Sequence, residues 1–264
     1  MADLPPGFGV LVTRPAGQAG TLQRLIEDSG GTAILTPLLD IEPVAKDAEG
    51  PRRLGRKENP NWLVFVSANA VRCAFDLLGV QWLEGCQAKI AAIGLATARA
   101  LAEKGVEVDL KPKQQFNSEA LLAEAEWAEV SGLKFLIVRG AGGRELLAEA
   151  LRTRGAVVEY AEVYRRVPAV VDMPGLLARW RAGGIDVTTV TSGEALATLA
   201  RLMAGADQAL LLRTPMVVIG ERLAKQAREL GCAHVIAAEA GDLDIFDAVL
   251  RIGRALIKTH QPRG

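Results

Sequence analysis

Small residues, hydroxyl groups and arginines stand at the ends of the short apolar runs of this chain. Arg14 follows the run GVLVT, and Arg139 closes the run KFLIVR. Backbone N–H groups at helix starts, together with guanidinium groups, are donors with which proteins hold anions. The sequence therefore predicts an anion-binding site built from strand ends. Its candidate residues are Arg14, Ser67, Asn69, Gly94, Ser118, Arg139, Gly140, Arg144, Ser192 and Arg222.

The same positions also have a purely structural explanation. Helix N-capping accounts for Ser67, Asn117, Ser118 and Ser192, since hydroxyl and amide side chains are the preferred caps. The arginines would then pair with nearby acids such as Glu145. For any single residue we favour this explanation, whereas the whole set favours an anion site.

Arg144 is a sharper indication of an anion. It falls in the first turn of a predicted helix that contains Leu146, Leu147, Ala150 and Leu151 at one-face spacing. A cation at that position opposes the helix macrodipole, and an external anion would offset the repulsion.

Other chemistries lack the residues they need. The two histidines and three cysteines show no metal-ligand spacing, so we expect no metal. The segment RGAGGREL (139–146) departs from the dinucleotide pattern G-x-G-x-x-G because Glu145 takes the third glycine position. A phosphate-binding P-loop and a nucleophile elbow are both missing from the sequence. An enzyme of this kind would act by binding, positioning and electrostatics, without a cofactor.

Tyr164 is the side chain best suited to proton chemistry. The chain has two tyrosines, Tyr160 and Tyr164, and both lie in the extended segment EYAEVYRRVP. Strand alternation predicts that they face the same side, so Tyr160 competes for any role. The alternative is an ordinary tyrosine packed against the core.

The elements that must position these residues alternate along the chain. Apolar runs such as WLVFVS (62–67) and MVVIG (216–220) are typical of parallel strands covered on both faces, and helical patterns follow them. We therefore predict an α/β fold with open parallel sheets, whose ligands bind at the carboxyl ends of the strands. The polar stretch Lys46 to Asn61 is predicted to be a loop.

Internal similarity indicates two lobes, one of them assembled from both ends of the chain. The segment 10–33 resembles 135–158, and 91–108 resembles 217–235. One predicted lobe therefore comprises 1–35 plus 171–264, and an inserted α/β lobe comprises 46–160. The crossings, 36–45 and 161–170, are predicted to form an antiparallel pair of linker strands that acts as a hinge, with the site in the cleft between the lobes.

Composition excludes some partners. Lys and Arg total 31, as do Asp and Glu, which argues against a general binder of nucleic acid or membrane surfaces. The start of the sequence has no long apolar stretch, so we expect no signal peptide, and no apolar run approaches the roughly 18 residues of a membrane helix. An odd, scattered set of cysteines fits a reducing compartment, so we expect a cytoplasmic protein.

Seven segments, in order, are similar to one known family, uroporphyrinogen-III synthase of bacteria. The fold it implies has a parallel five-stranded sheet flanked by helices in each lobe (flavodoxin-like). The sequence departs from common family patterns at Val66 and Gly220. The matching segments are LVTRPAGQA, VFVSANAV, AAIGLATARAL, NSEALL, LIVRGAGGRELL, EVYRR and TSGEAL.

The resemblance implies a specific reaction. Its substrate would be hydroxymethylbilane, a linear tetrapyrrole with eight carboxylates, which loses its hydroxyl as water and closes with ring D inverted. That reaction makes the protein a lyase without cofactor or metal, and family precedent is a monomer. Tyr164 is then expected to assist loss of the hydroxyl, and the anion-site residues to hold carboxylates. Functional coupling to the preceding pathway enzyme is a further expectation.

Two other classes share some of these features. A non-catalytic two-lobe binding protein for an anionic metabolite would have the same hinge and cleft. It would usually carry a signal peptide or a fused DNA-binding module, and the sequence has neither. An enzyme that uses NAD or a nucleotide sugar would need a better phosphate loop.

Overall fold

The computed structural model describes residues 4–56, 60–113, 117–239 and 241–260, with side chains as far as residue 256. Contacts divide the chain into two compact units, Met1–Asp40 with Val167–Gly264 and Ile41–Arg166. We call them the terminal unit and the central unit. Each predicted crossing segment, 36–45 and 161–170, is divided between the two units.

Strands and helices alternate along most of the described chain. Two short 3₁₀ helices, Val80–Leu83 and Ala125–Trp127, complete the description. In chain order the elements are β1 (Gly9–Val12), α1 (Ala16–Asp28), β2 (Thr32–Leu35), β3 (Leu39–Pro43), α2 (Glu49–Gly55), β4 (Trp62–Phe65), α3 (Ala68–Leu78), β5 (Lys89–Ala92), α4 (Leu95–Ala102), α5 (Ser118–Leu122), β6 (Lys134–Gly140), α6 (Leu146–Thr153), β7 (Val157–Pro168), α7 (Met173–Arg181), β8 (Val187–Val190), α8 (Gly193–Leu202), α9 (Gln208–Arg213), β9 (Met216–Ile219), α10 (Gly220–Glu229), β10 (Val235–Ala238) and α11 (Asp242–His260).

The terminal unit is a parallel sheet covered by helices on both faces. Its strand order is β10-β9-β8-β1-β2, and each neighbouring pair is parallel. Side chains alternate across β1, so Val10 and Val12 pack with α1 and α11, whereas Leu11 packs with α8 and α10. Burial on both faces explains why these strands are continuous apolar runs, as predicted.

The central unit contains the second five-stranded sheet, in the order β3-β7-β6-β4-β5. The neighbours β7-β6-β4-β5 are parallel. Trp62 and Val64 face α5 and α6, and Leu63 and Phe65 face α3 and α4. The α/β architecture with parallel sheets is therefore confirmed. The strands β3 and β7, each of which includes part of a predicted crossing, belong to this sheet.

A helix, α2, lies where the sequence predicts only a loop, and that prediction is wrong for Glu49–Gly55. The segment is polar apart from one face, on which Gly50, Pro51 and Leu54 are buried. The proline falls in the first turn, where its missing N–H costs no helical hydrogen bond. Gly50 lets the helix approach β7 closely, because a methyl group there would lie 2.0 Å from the Glu162 carbonyl oxygen.

Gly50→Ala is therefore expected to destabilise the protein by about 1–3 kcal/mol, the usual cost of overpacking. Gly55→Ala on the same helix is the control, since its added methyl group meets nothing within 4 Å. Urea unfolding should give a lower midpoint for Gly50→Ala and an unchanged or slightly higher midpoint for Gly55→Ala. Equal midpoints would contradict the close packing of α2 on β7.

Candidate functional site

A pocket of about 380 Å³ lies within the central unit, where β4, β5 and β6 end beside β7. Part of its wall is apolar, with Val66, Ile93, Ile137 and Leu147. This edge is where ligands bind in open parallel sheets. Its polar and charged lining consists of Ser67, Asn117, Ser118, Glu119, Arg139, Arg144, Tyr160, Tyr164 and Arg166.

Ser67 and Tyr164 meet in this pocket. Ser67 is the N-cap of α3, and its Oγ accepts a hydrogen bond from the Ala70 N–H at 3.0 Å. The same Oγ lies 3.1 Å from the Tyr164 hydroxyl, and either oxygen can donate. Tyr164 is only 4% exposed. The capping explanation of Ser67 is thus correct, and the cap also fixes the phenol.

An irregularity in β7 decides where Tyr164 points. Arg139 pairs with Glu162, but the next residue, Gly140, pairs with Tyr164, so β7 has one extra residue at this point. Val163 and Tyr164 consequently both pack on the face of α3 and α4. Tyr160 packs on the opposite face. The prediction that both tyrosines face the same side is wrong, because the bulge interrupts the alternation.

Gly140 is required for this position of Tyr164. A methyl group at position 140 would lie 2.5 Å from two atoms of the Tyr164 ring, Cε2 and Cζ. The backbone of β6 and the phenol ring are therefore in direct contact. Gly140 lines the pocket, and its lack of a side chain leaves room for the Tyr164 ring.

Arg139 is the buried cation of the pocket, with 4% exposure. Its Nε donates to the Gly140 carbonyl at 3.2 Å, and its Nη1 donates to Glu145 Oε1 at 3.0 Å. Its guanidinium carbon lies 4.5 Å from the centre of the Tyr160 ring. Its Nη2 has no hydrogen-bond partner among the described residues. Buried donors are nearly always paired, so this unpaired nitrogen is a candidate for binding an external acceptor.

Glu145 links Arg139 to Tyr160. Its Oε2 accepts a hydrogen bond from the Tyr160 hydroxyl, and its Oε1 accepts from Arg139. The Tyr160 hydrogen bond, and then Arg139, lower the pKa of Glu145. Burial, and then Glu145, raise the pKa of Tyr160. At neutral pH the carboxylate is therefore charged and the phenol is a donor.

The pocket also contains predicted residues without such contacts. Arg144 is exposed and has no hydrogen-bond or ion-pair partner in the described part of the chain. It precedes α6, which begins at Leu146 with Glu145 as N-cap, so the prediction that Arg144 lies in the first turn is wrong. Ser118 is the first residue of α5, and Asn117 caps that helix through the Ala120 N–H at 2.8 Å.

Two predicted residues of the central unit do not line the pocket. Asn69 lies in the first turn of α3 and is half-buried. Gly94 is the buried N-cap of α4 in an extended conformation that any residue adopts. Arg166, in contrast, lines the pocket and is not among the predicted residues. The sequence could have indicated Arg166, because this residue lies two positions after Tyr164.

Three predicted residues belong to the terminal unit. Arg14 forms an ion pair with Asp242, the first residue of α11, and only 12% of its side chain is exposed. Ser192 caps α8 through the Ala195 N–H at 3.1 Å. Arg222 is exposed in the first turn of α10. A separate cavity of about 530 Å³, between β2 and the start of α7, contains none of them.

Two buried thiols are poor nucleophiles, and the described residues form no metal site. Burial raises the pKa of the Cys73 thiol to about 11 and also raises the pKa of Cys232, so both thiols are protonated at neutral pH. No group of three or more His, Cys, Asp or Glu side chains among the described residues could hold a metal ion. In the same part of the chain, no helix has both the length and the apolar character needed to span a membrane.

Comparisons with known sequences agree on one family. The family described as Uroporphyrinogen-III synthase HemD matches residues 20–245. Uroporphyrinogen-III synthase of Escherichia coli (strain K12) is 33% identical over 246 residues, covering 92% of this chain and 99% of that protein. The Salmonella typhimurium uroporphyrinogen-III synthase is 34% identical over 249 residues, with the same coverage.

Solved structures show a similar fold. A mutant uroporphyrinogen III synthase of the extremely thermophilic bacterium Thermus thermophilus has a TM-score of 0.62 at 20% identity, covering 94% of this chain and 99% of that chain. The uroporphyrinogen-III synthetase of Helicobacter pylori also has a TM-score of 0.62, at 14% identity, covering 93% and 99%. At these identities the likeness concerns the fold.

The lowered pKa of Glu145 predicts a pH-dependent stability. A carboxyl whose folded pKa lies below its unfolded value stabilises the fold above the unfolded pKa, and this contribution is lost as the pH falls through the folded pKa. Thermal unfolding of the protein and of Glu145→Gln, from pH 7 down to pH 3, should therefore show a difference that shrinks at the acid end. Glu149→Gln on α6 is the control, because its side chain makes no hydrogen bond or ion pair among the described residues. A pH-independent difference for Glu145→Gln would contradict the assigned contacts.

Proposed function

The chain belongs to the uroporphyrinogen-III synthase family of porphyrin biosynthesis, and from this premise we propose that it converts hydroxymethylbilane into uroporphyrinogen III. The observation that carries the proposal is the family match over residues 20–245. The reaction eliminates the hydroxyl of the bilane as water and closes the ring with ring D inverted, which makes the protein a cyclising lyase. Without an enzyme the bilane closes to the symmetric type I isomer, so the protein must favour the rearranged closure over the direct one.

Tyr164 is the proposed catalytic residue. Its phenol is buried, lines the pocket and is fixed by Ser67. A phenol is a weak acid, so its contribution is a hydrogen bond that strengthens as negative charge develops on the departing oxygen. The proton that completes the water is supplied as the C–O bond breaks, through this hydrogen bond or from solvent.

The carboxylates of the bilane are the proposed ligands of the arginines. Arg139, Arg144 and Arg166 surround the pocket, and Arg139 offers an unpartnered donor. Guanidinium groups match carboxylates in charge and geometry. The remaining predicted contacts, from Ser67, Ser118 and Gly140 in this pocket to Asn69, Gly94, Arg14, Ser192 and Arg222 elsewhere, are part of the same proposal.

Finer features of the fold are also proposed. Numbered within the terminal unit, its strand order is 2-1-3-4-5, which supports a flavodoxin-like description. Two hydrogen bonds support an antiparallel β3–β7 pair, from the Val44 N–H to the Val163 carbonyl and from the Ala169 N–H to the Leu38 carbonyl. The residue numbers in each bond have the same sum, as antiparallel pairing requires.

Four expectations extend beyond the reaction. We propose a monomeric cytoplasmic enzyme that acts without a cofactor. We also propose functional coupling to the enzyme that supplies the bilane, because an unstable substrate is best received directly. No comparison favours the alternative of a non-catalytic binding protein.

The proposal predicts the isomer composition of the product. With hydroxymethylbilane as substrate, the type III fraction, measured by separating the oxidised porphyrins, should rise far above the uncatalysed background. Tyr164→Phe should lower kcat by about tenfold or more, because the hydrogen bond to the charged departing oxygen is lost. A type III fraction at background would refute the synthase function, whereas an unchanged kcat in Tyr164→Phe would remove only the tyrosine from the mechanism.

Loss of an arginine should act mainly on substrate binding. Arg139→Ala is expected to raise KM about 10- to 100-fold, since a hydrogen bond to a charged group contributes about 1.5–3 kcal/mol. Arg14→Ala should also raise KM. The control is Arg99→Ala, an exposed arginine of α4 without a partner among the described residues. An arginine whose removal leaves KM normal does not contact substrate.

A further inference from the structure

The glycine-rich segment between β6 and α6 places Gly143 directly against Nη2, the buried nitrogen of Arg139 that has no partner among the described residues. A methyl group at position 143 would lie 2.4 Å from Nη2, 3.0 Å from Cζ and 3.2 Å from Nε of Arg139. Real methyl groups essentially never approach a heavy atom that closely. Any larger residue at 143 would occupy the space that Nη2 faces.

We infer that Gly143 is a specificity-determining residue and Glu145 a positioning residue. Glu145 fixes Arg139 through Nη1, and the bare backbone at Gly143 leaves Nη2 without a partner, to bind one oxygen of a substrate carboxylate. The identity of that carboxylate, one of those on the bilane, rests on the proposed function. The geometry around Nη2 is independent of the proposed function.

The other two nitrogens of the Arg139 guanidinium each have a hydrogen-bond partner. Nε donates to the Gly140 carbonyl, Nη1 donates to Glu145, and the guanidinium carbon lies 4.5 Å from the centre of the Tyr160 ring. Only Nη2 is a buried side-chain nitrogen of this group without a partner in the described residues. A carboxylate oxygen satisfies both its hydrogen-bonding capacity and its charge.

Space, not backbone conformation, explains the glycine at 143. The neighbouring Gly142 has φ +68°, a left-handed conformation that favours glycine by itself. Gly143 is not among the glycines with positive φ, so its backbone admits alanine. The absent side chain is therefore needed for the room beside Nη2.

Glu145 restrains Arg139 from a second direction. Its carboxylate accepts one hydrogen bond from Arg139 and one from Tyr160, so neither oxygen is left to rotate freely. A second guanidinium, that of Arg152, lies 5.4 Å from the centre of the Tyr160 ring and also donates to the Val158 carbonyl at 3.1 Å. Tyr160, which is a residue of β7, thus connects Glu145 to that strand.

The test compares KM, kcat and isomer composition in the full chain with hydroxymethylbilane. Gly143→Ala should raise KM by about tenfold, with kcat within about twofold and the product still type III. Gly55→Ala, which adds the same methyl group in open space outside the pocket, should leave KM unchanged. In an Arg139→Ala background, Gly143→Ala should have no further effect on KM, because the nitrogen it blocks is gone.

The variant Glu145→Gln tests whether Glu145 positions Arg139 or competes with the substrate carboxylate for it. If Glu145 positions Arg139, the substitution raises KM, and the increase disappears in the Arg139→Ala background. A lowered KM would mean that Glu145 competes with the substrate carboxylate and would overturn its assigned role. An unchanged KM in Gly143→Ala, or an equal increase with and without Arg139, would overturn the role of Gly143.

The same variants report on the pocket when the reaction itself is not measured. Calorimetric Kd values for uroporphyrinogen III, which keeps all eight carboxylates, should follow the pattern expected for KM. A wild-type chain that forms no type III isomer but shows this pattern would refute the proposed function and support the inference. A product of normal isomer composition, together with Kd values that do not follow this pattern, would support the proposed function and refute the inference.

Discussion

The burial of the Arg139 guanidinium at the end of β6 constrains everything around it. A charge with 4% exposure is costly unless its donors are paired, so Glu145, the Gly140 carbonyl and the Tyr160 ring are held close to it. Those partners include hydrogen-bond acceptors for Nε and Nη1, whereas Nη2 has no acceptor among the described residues. The group is therefore held in place before any ligand arrives, which lowers the ordering cost of binding an anion.

The bulge in β7 provides the second constraint, because it turns Tyr164 toward Ser67 while Tyr160 stays on the opposite face of the sheet. Each tyrosine then has a different task. Tyr160 braces the arginine, and Tyr164 presents a buried hydroxyl at the same pocket. Bulges commonly redirect side chains beside active sites, and here one extra residue separates a binding group from a proposed catalytic group.

Patterns with a simple period were predictable from the sequence. Apolar runs gave the parallel strands, and hydroxyl residues such as Ser67 and Ser192 proved to cap helices. The face of Tyr164 was not predictable, because a bulge leaves no periodic signal and shifts every later residue. The helix α2 was missed because one apolar residue, Leu54, supplies most of its buried face. The role of Gly143 depends on a distance to Arg139 that spacing along the chain does not encode.

The role of the pocket depends on an external carboxylate binding Nη2, the unpartnered nitrogen of Arg139. Nitrogen-15 NMR of the arginine side chains observes that nitrogen directly, with Arg139→Lys to assign its signal. On titration of the full chain with uroporphyrinogen III, the Arg139 guanidinium resonances should shift and saturate together with the signals that report binding. Saturable shifts elsewhere in the spectrum, with those of Arg139 unchanged, would contradict the account.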